Sequence, residues 1–89
     1  LIFMNINELI AIVKNKLEAE IDIQDIKIDD KSFLHKNHKS YQDDKFHLKL
    51  AIKSDALKKL SRIQSTKKIY GILDFELKMY IHSIQILLE

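Results

Sequence analysis

The sequence predicts an α+β fold, a three-stranded mixed sheet covered by helices in the order α-β-β-α-α-β. Three observations carry that expectation. An apolar stripe of helical period runs through the first turns of the chain. A clean apolar–polar alternation follows at HLKLAIKS, residues 47–54. An apolar segment, Ile81–Leu88, then closes the chain after a long helical stretch.

Asn5 to about Ala19 reads as an amphipathic helix, with Ile6, Leu9, Ile10, Val13 and Leu17 on one face. Asn5 is a good N-cap, and Glu8 three residues later makes a capping-box pattern. Ile21 to Asp29 reads as a strand in which Ile26 and Ile28 share a face and Asp25, Lys27 and Asp29 oppose them. In the second strand, His47–Ser54, Leu48, Leu50 and Ile52 face inward, and His47, Lys49 and Lys53 face outward. Ser54 caps a short helix containing Ala56, Leu57 and Leu60. Ser61 and Gln64 repeat the capping box, so a longer helix is expected from about Arg62 to Met79. Its stripe is Ile63, Tyr70, Leu73 and Leu77, widened by Ile69 and Ile72. Ile81–Leu88 is the third strand, with His82 on the same face as Ile84 and Ile86. A strand, two helices and a strand make a crossover, so the second and third strands are expected to be parallel neighbours.

Bulk properties bound the function. The 89 residues make one domain, 1–89, with a thin stability margin for its size. The chain has no cysteine, which excludes disulfides and thiolate ligands of its own and suits a reducing compartment such as the cytoplasm. No apolar run reaches the roughly 20 residues that span a bilayer, so no membrane partner is expected. The opening LIFMNINELIAIV lacks the basic start and cleavage site of a signal peptide. A net charge of +2 makes no general case for nucleic acid, although Lys58, Lys59, Arg62, Lys67 and Lys68 make the middle basic. Enzyme signatures are missing: there is no cysteine nucleophile, no G-x-S-x-G elbow and no glycine-rich phosphate loop. One glycine also leaves no G-x-x-G loop of the kind that clamps RNA.

The stretch Asp30–Lys45, DKSFLHKNHKSYQDDK, has neither helical nor strand period. Loops longer than about 12–15 residues are uncommon in small domains unless they serve a function. This one carries His35 and His38. An H-x-x-H pair in a loop is a weak metal signal by itself, with no further strong ligands nearby for a closed zinc site.

Three ordered segments together resemble the BolA family over about Asn5–Leu87. Asp30–His38, DKSFLHKNH, is similar to that family's D-x-S-x-x-H-x-G-H segment, with Asn37 in place of the glycine. His47–Ser54 is similar to its H-F-K-V-x-x-V-S strand. Ile69-Tyr70-x-x-Leu73-x-x-Glu76-Leu77, followed by Ile81-His82-Ser83-Ile84, is similar to its V-Y-x-x-L-x-x-E-L and I-H-A-L ending.

The resemblance implies a class II KH-like fold and a non-enzymatic role beside a monothiol glutaredoxin. The pair would share a two-iron, two-sulfur cluster, with cysteine and glutathione thiolates from the glutaredoxin side and histidine from this one. His82 falls on the histidine of the family's ending and, with His35 or His38 from the loop, is the expected ligand. Histidine can replace cysteine at such centres, as it does in Rieske proteins. Alone, the chain is expected to bind no cluster and to be a monomer or weak homodimer. Ligation needs neutral imidazole, so acid should loosen the hold. His47 is expected in a supporting role, and a hydrogen bond donated by a ligating ring to Asp29 or Asp30 can orient it.

The family is also described as a transcriptional regulator. A DNA-binding role would use the basic segment Lys58, Lys59, Arg62, Lys67 and Lys68. Here the sequence departs from the family pattern. Leu57-Lys58-Lys59 stands for an F-x-G turn, and Ser65-Thr66-Lys67 for an R-H-R triplet. A left-handed Lys59 in that turn would cost roughly 1–2 kcal/mol. A third expectation is a plain protein-interaction module without a cofactor.

Overall fold

In a computed structural model that describes residues 4–32 and 45–89, the chain forms α1 (Ile6–Glu20), β1 (Asp25–Asp30), β2 (Phe46–Lys53), α2 (Asp55–Lys58), α3 (Arg62–Ile72), α4 (Asp74–Met79) and β3 (Ile81–Leu88). The sheet order is β1-β2-β3, with β1 antiparallel and β3 parallel to β2. That is the mixed α+β sheet the periodicities predict. Among the described residues, no helix is long and apolar enough to cross a membrane.

The core forms where the helical stripe meets the strand alternation. Leu9, Val13 and Leu17 of α1 are fully buried, as are Leu50 and Ile52 of the central strand, Leu57, Ile69 and Leu73. Burying each such side chain contributes about 1.5–3 kcal/mol. Asn5 caps α1 by accepting the Glu8 N–H at 2.8 Å, and its side-chain amide donates to the Glu8 carboxylate. The reciprocal arm of the expected box therefore runs between side chains.

β1 starts at Asp25, later than the sequence suggests. Ile21 still closes α1, donating its N–H to the Leu17 carbonyl at 2.9 Å. The buried Ser54 hydroxyl donates to the Asp22 carbonyl at 2.8 Å and so pins the connector. On the outer face Asp25 sits opposite Lys53 and Asp29 opposite Lys49. Opposite charges across strands support this register by about 0.2–1 kcal/mol per pair.

Two expectations about the helices need correction. The stretch 62–79 is two helices, not one. Leu73 leaves helical geometry at φ −97°, ψ 18°, and divides α3 from α4. α3 packs on α1 whereas α4 packs on β3. The buried stripe also differs. Ile63 and Tyr70 are 68% and 40% exposed, while Ser65, Ile69, Leu73 and Glu76 are buried. Two polar residues therefore stand on the inward face. Ser65 satisfies its hydroxyl by donating to the Arg62 carbonyl at 3.0 Å. The Glu76 carboxylate receives the Lys16 ammonium of α1, at 2.9 and 3.0 Å to its two oxygens.

Lys59 is right-handed, at φ −74°, ψ −16°, so the loss of a glycine there carries no backbone strain.

Candidate histidine site

A regular β3 would put His82 on the inward face with Ile84 and Ile86. The ladder breaks that pattern. Phe46 pairs with Ile81, but His47 pairs with Ser83. One step on β2 is thus matched by two on β3, a β-bulge whose additional residue is His82. Past the bulge the phase is reset, and Leu48, Leu50 and Ile52 face Ile84, Ile86 and Leu88. Ile81 is buried, His82 and Ser83 are both exposed, and Ile84 is half-buried. The expected placement of His82 with the isoleucines is therefore corrected. A bulge leaves its additional residue outside the ladder and re-aims its side chain, and here it sends an imidazole outward.

His47 has the outward register of Lys49 and Lys53 but only 6% exposure. The bulge explains the cover. His82 and Ser83 together stand opposite His47, where a regular strand would supply one residue. The two imidazole centroids lie 4.8 Å apart with the rings tilted by 37°. Nδ1 of His47 and the Ser83 hydroxyl share a 2.7 Å hydrogen bond, its direction set by the imidazole tautomer.

The backbone of His47 is held from the other side. Its N–H donates to the Ser32 hydroxyl at 3.1 Å, and its carbonyl accepts the Lys31 N–H at 2.7 Å. Ser32 donates its own N–H to the Asp30 carboxylate at 2.9 Å. Asp30 thus shapes the chain as it leaves β1. Across the sheet, Phe46 donates its N–H to the Tyr80 carbonyl at 2.8 Å, which fixes the entry to β3. One end of the sheet therefore gathers the exit from β1, the entry to β2 and the bulge of β3.

His82 and His47 meet at that end. His35 and His38, the expected loop ligands, lie outside the described residues. Among the described residues, no group of three or more His, Asp or Glu side chains is placed to hold a metal ion. The chemistry available is that of an exposed imidazole, able to complete a coordination sphere brought by another molecule, with a second imidazole buried against it. The sequence located both histidines but not their contact. Its only signal was indirect: parallel pairing of two strands that each begin near a histidine.

The basic residues line more than one surface. Arg62 lines a groove with Lys49 and Tyr70 between α3 and β3. Lys67 and Lys68 line a different surface with Lys16, between α1 and α3. Lys58 and Lys59 are exposed at the end of α2.

Comparison with known proteins agrees with this architecture. Residues 17–89 match the family described as BolA-like protein. SufE-like protein 1, chloroplastic/mitochondrial, of Arabidopsis thaliana is 32% identical over a region covering 83% of this chain. The chain spans only 21% of that relative's length. Among solved structures, the BolA domain of SufE1 from Arabidopsis thaliana superimposes with a TM-score of 0.76 at 28% identity, covering 97% of this chain and 93% of the other. BolA1 from the same plant gives 0.74 at 24% identity, with 89% and 87% covered. The solution structure of BolA1 from Mus musculus gives 0.69 at 21%, with 86% and 60% covered. The last two likenesses speak for the fold.

Proposed function

The chain belongs to the family of BolA-like proteins, and from that premise we propose that it is a non-enzymatic partner of a monothiol glutaredoxin. In this reading it helps to hold a two-iron, two-sulfur cluster shared between the two proteins and serves iron–sulfur cluster assembly, transfer or iron regulation. His82 supplies an imidazole ligand, and His35 or His38 supplies the second from the loop.

The single observation that carries the reading is the outward turn of His82 at the bulge. A ligand to another protein's cluster must be reachable from outside, and this ring is. The donor set fits as well. Imidazole is an accepted ligand at two-iron, two-sulfur centres, and a chain without cysteine needs its thiolates from a partner. When bound, the cluster would supply redox-active iron. What this chain contributes is an exposed imidazole at one end of the sheet, next to the ends of the segment that carries the two loop histidines.

The test is co-purification with a monothiol glutaredoxin in the presence of glutathione, followed by visible absorption and circular dichroism. His82→Ala should change the cluster spectrum of the mixed complex toward that of the glutaredoxin alone. A spectrum that is the same with and without the His82 ring would rule out the ligand assignment.

A further inference from the structure

Taking His82 as the ligand, which this inference rests on, we propose that His47 is its positioning residue: it holds the His82 ring in its outward pose and couples that ring to the end of β1.

Burial assigns the two roles. His82 is exposed and can meet another molecule, while His47, at 6% exposure, cannot do so without leaving its place. The bulge creates the need for support. His82 is the residue outside the regular ladder, so ladder pairing constrains its side chain less than that of a paired neighbour. Among the described residues, its ring contact is with His47, centroid to centroid at 4.8 Å.

His47 is equipped to be the fixed side of that contact. Its Nδ1 is bonded to the Ser83 hydroxyl at 2.7 Å, which sets the ring's rotation. Its N–H and carbonyl are both engaged by Ser32 and Lys31, at 3.1 and 2.7 Å. Through Ser32 the connection reaches the Asp30 carboxylate. One residue therefore joins the chain leaving β1 to the bulge on β3, two strands away. Metal-ligating histidines depend on such outer contacts for orientation, and losing one typically costs 10–100-fold in metal affinity or activity.

The experiment uses the full chain with a monothiol glutaredoxin carrying its two-iron, two-sulfur cluster and glutathione. His47→Leu, His47→Asn and Ser83→Ala are compared with His82→Ala and the parent chain. Two quantities are read: the rate of cluster loss from the mixed complex to a chelator, and the spread of His82 side-chain rotamers in the chain alone, from three-bond NMR couplings. His47→Leu should speed cluster loss by about 10–100-fold and average the His82 rotamers. His47→Asn, which keeps a polar atom near the Nδ1 position, should recover part of both. Ser83→Ala should move both the same way by less.

A single His82 rotamer and a parent-like loss rate in His47→Leu would overturn the proposal. A parent-like loss rate in His82→Ala would instead remove the ligand reading, and the rotamer measurement on the chain alone would still decide the role of His47. If His47→Leu fails to fold, as judged by far-UV circular dichroism, the Asn and Ser83 variants decide the same question: parent-like rotamers and loss rates in both would overturn the proposal.

Discussion

Glu76 is the residue whose environment departs most from what its type suggests. It is a carboxylate at 3% exposure, yet both oxygens meet the Lys16 ammonium, sixty positions earlier in the chain. The sequence places Glu76 on a helix and goes no further, because nothing local names its partner. Removing one member of a buried ion pair leaves the other desolvated without compensation, typically at 3–5 kcal/mol when both are buried. The Lys16 side chain is 42% exposed, so water screens part of that loss. Lys16→Ala should therefore destabilise the fold by about 2–3 kcal/mol. Urea denaturation would measure it as a lower midpoint at unchanged slope. Lys16→Met with Glu76→Gln should recover most of the loss, because no charge is then left buried.

Among elements, those set by local signals match the sequence and those set by tertiary contacts do not. The caps Asn5, Ser54 and Ser61 are where the sequence puts them, because each depends on residues within one turn. β2 and β3 are legible from their apolar patterns. The division of the long helix at Leu73 is not, because it answers to α1 on one side and β3 on the other. The inward face of the stretch 62–79 misleads for a related reason. Its buried stripe includes Ser65 and Glu76, which hydropathy excludes.

α3 also offers two opposed substitutions. Ser61→Ala removes the acceptor of the Gln64 N–H bond, 3.1 Å, and should cost about 1 kcal/mol. Gly71→Ala should gain about 0.5–1 kcal/mol. Its φ is not positive, and an added Cβ would meet nothing within 4 Å. Thermal unfolding of the two variants beside the parent would separate the signs.

At the scale of the molecule, element order and sheet direction follow from the periodicities, and the resemblance points to the family. The bulge and the imidazole pair are out of reach of both. They join positions 47 and 82, and a phase reset of one residue leaves no mark on local hydropathy.

The distribution of charge is likewise a property of the whole. Arg62 and Lys49 belong to one groove, and Lys67, Lys68 and Lys16 to another. A duplex lying on either surface would neutralise only two or three phosphates through them. The slope of log affinity against log salt for duplex DNA should then be no steeper than about −3. Fluorescence anisotropy at several salt concentrations would measure it. A much steeper slope, abolished by joint charge reversal of Lys58, Lys59, Arg62, Lys67 and Lys68, would support a DNA-binding role.

The bulge separates architecture from chemistry. The hydrogen-bonded ladder already joins Ile81 to Phe46 and Ser83 to His47, so the side chain at 82 is supernumerary to the scaffold. Such a position can exchange its functional group without shifting the hydrophobic rows on either side, whose register is set by their neighbours, and the cover of His47 is what would change. The ladder itself therefore does not require histidine at 82.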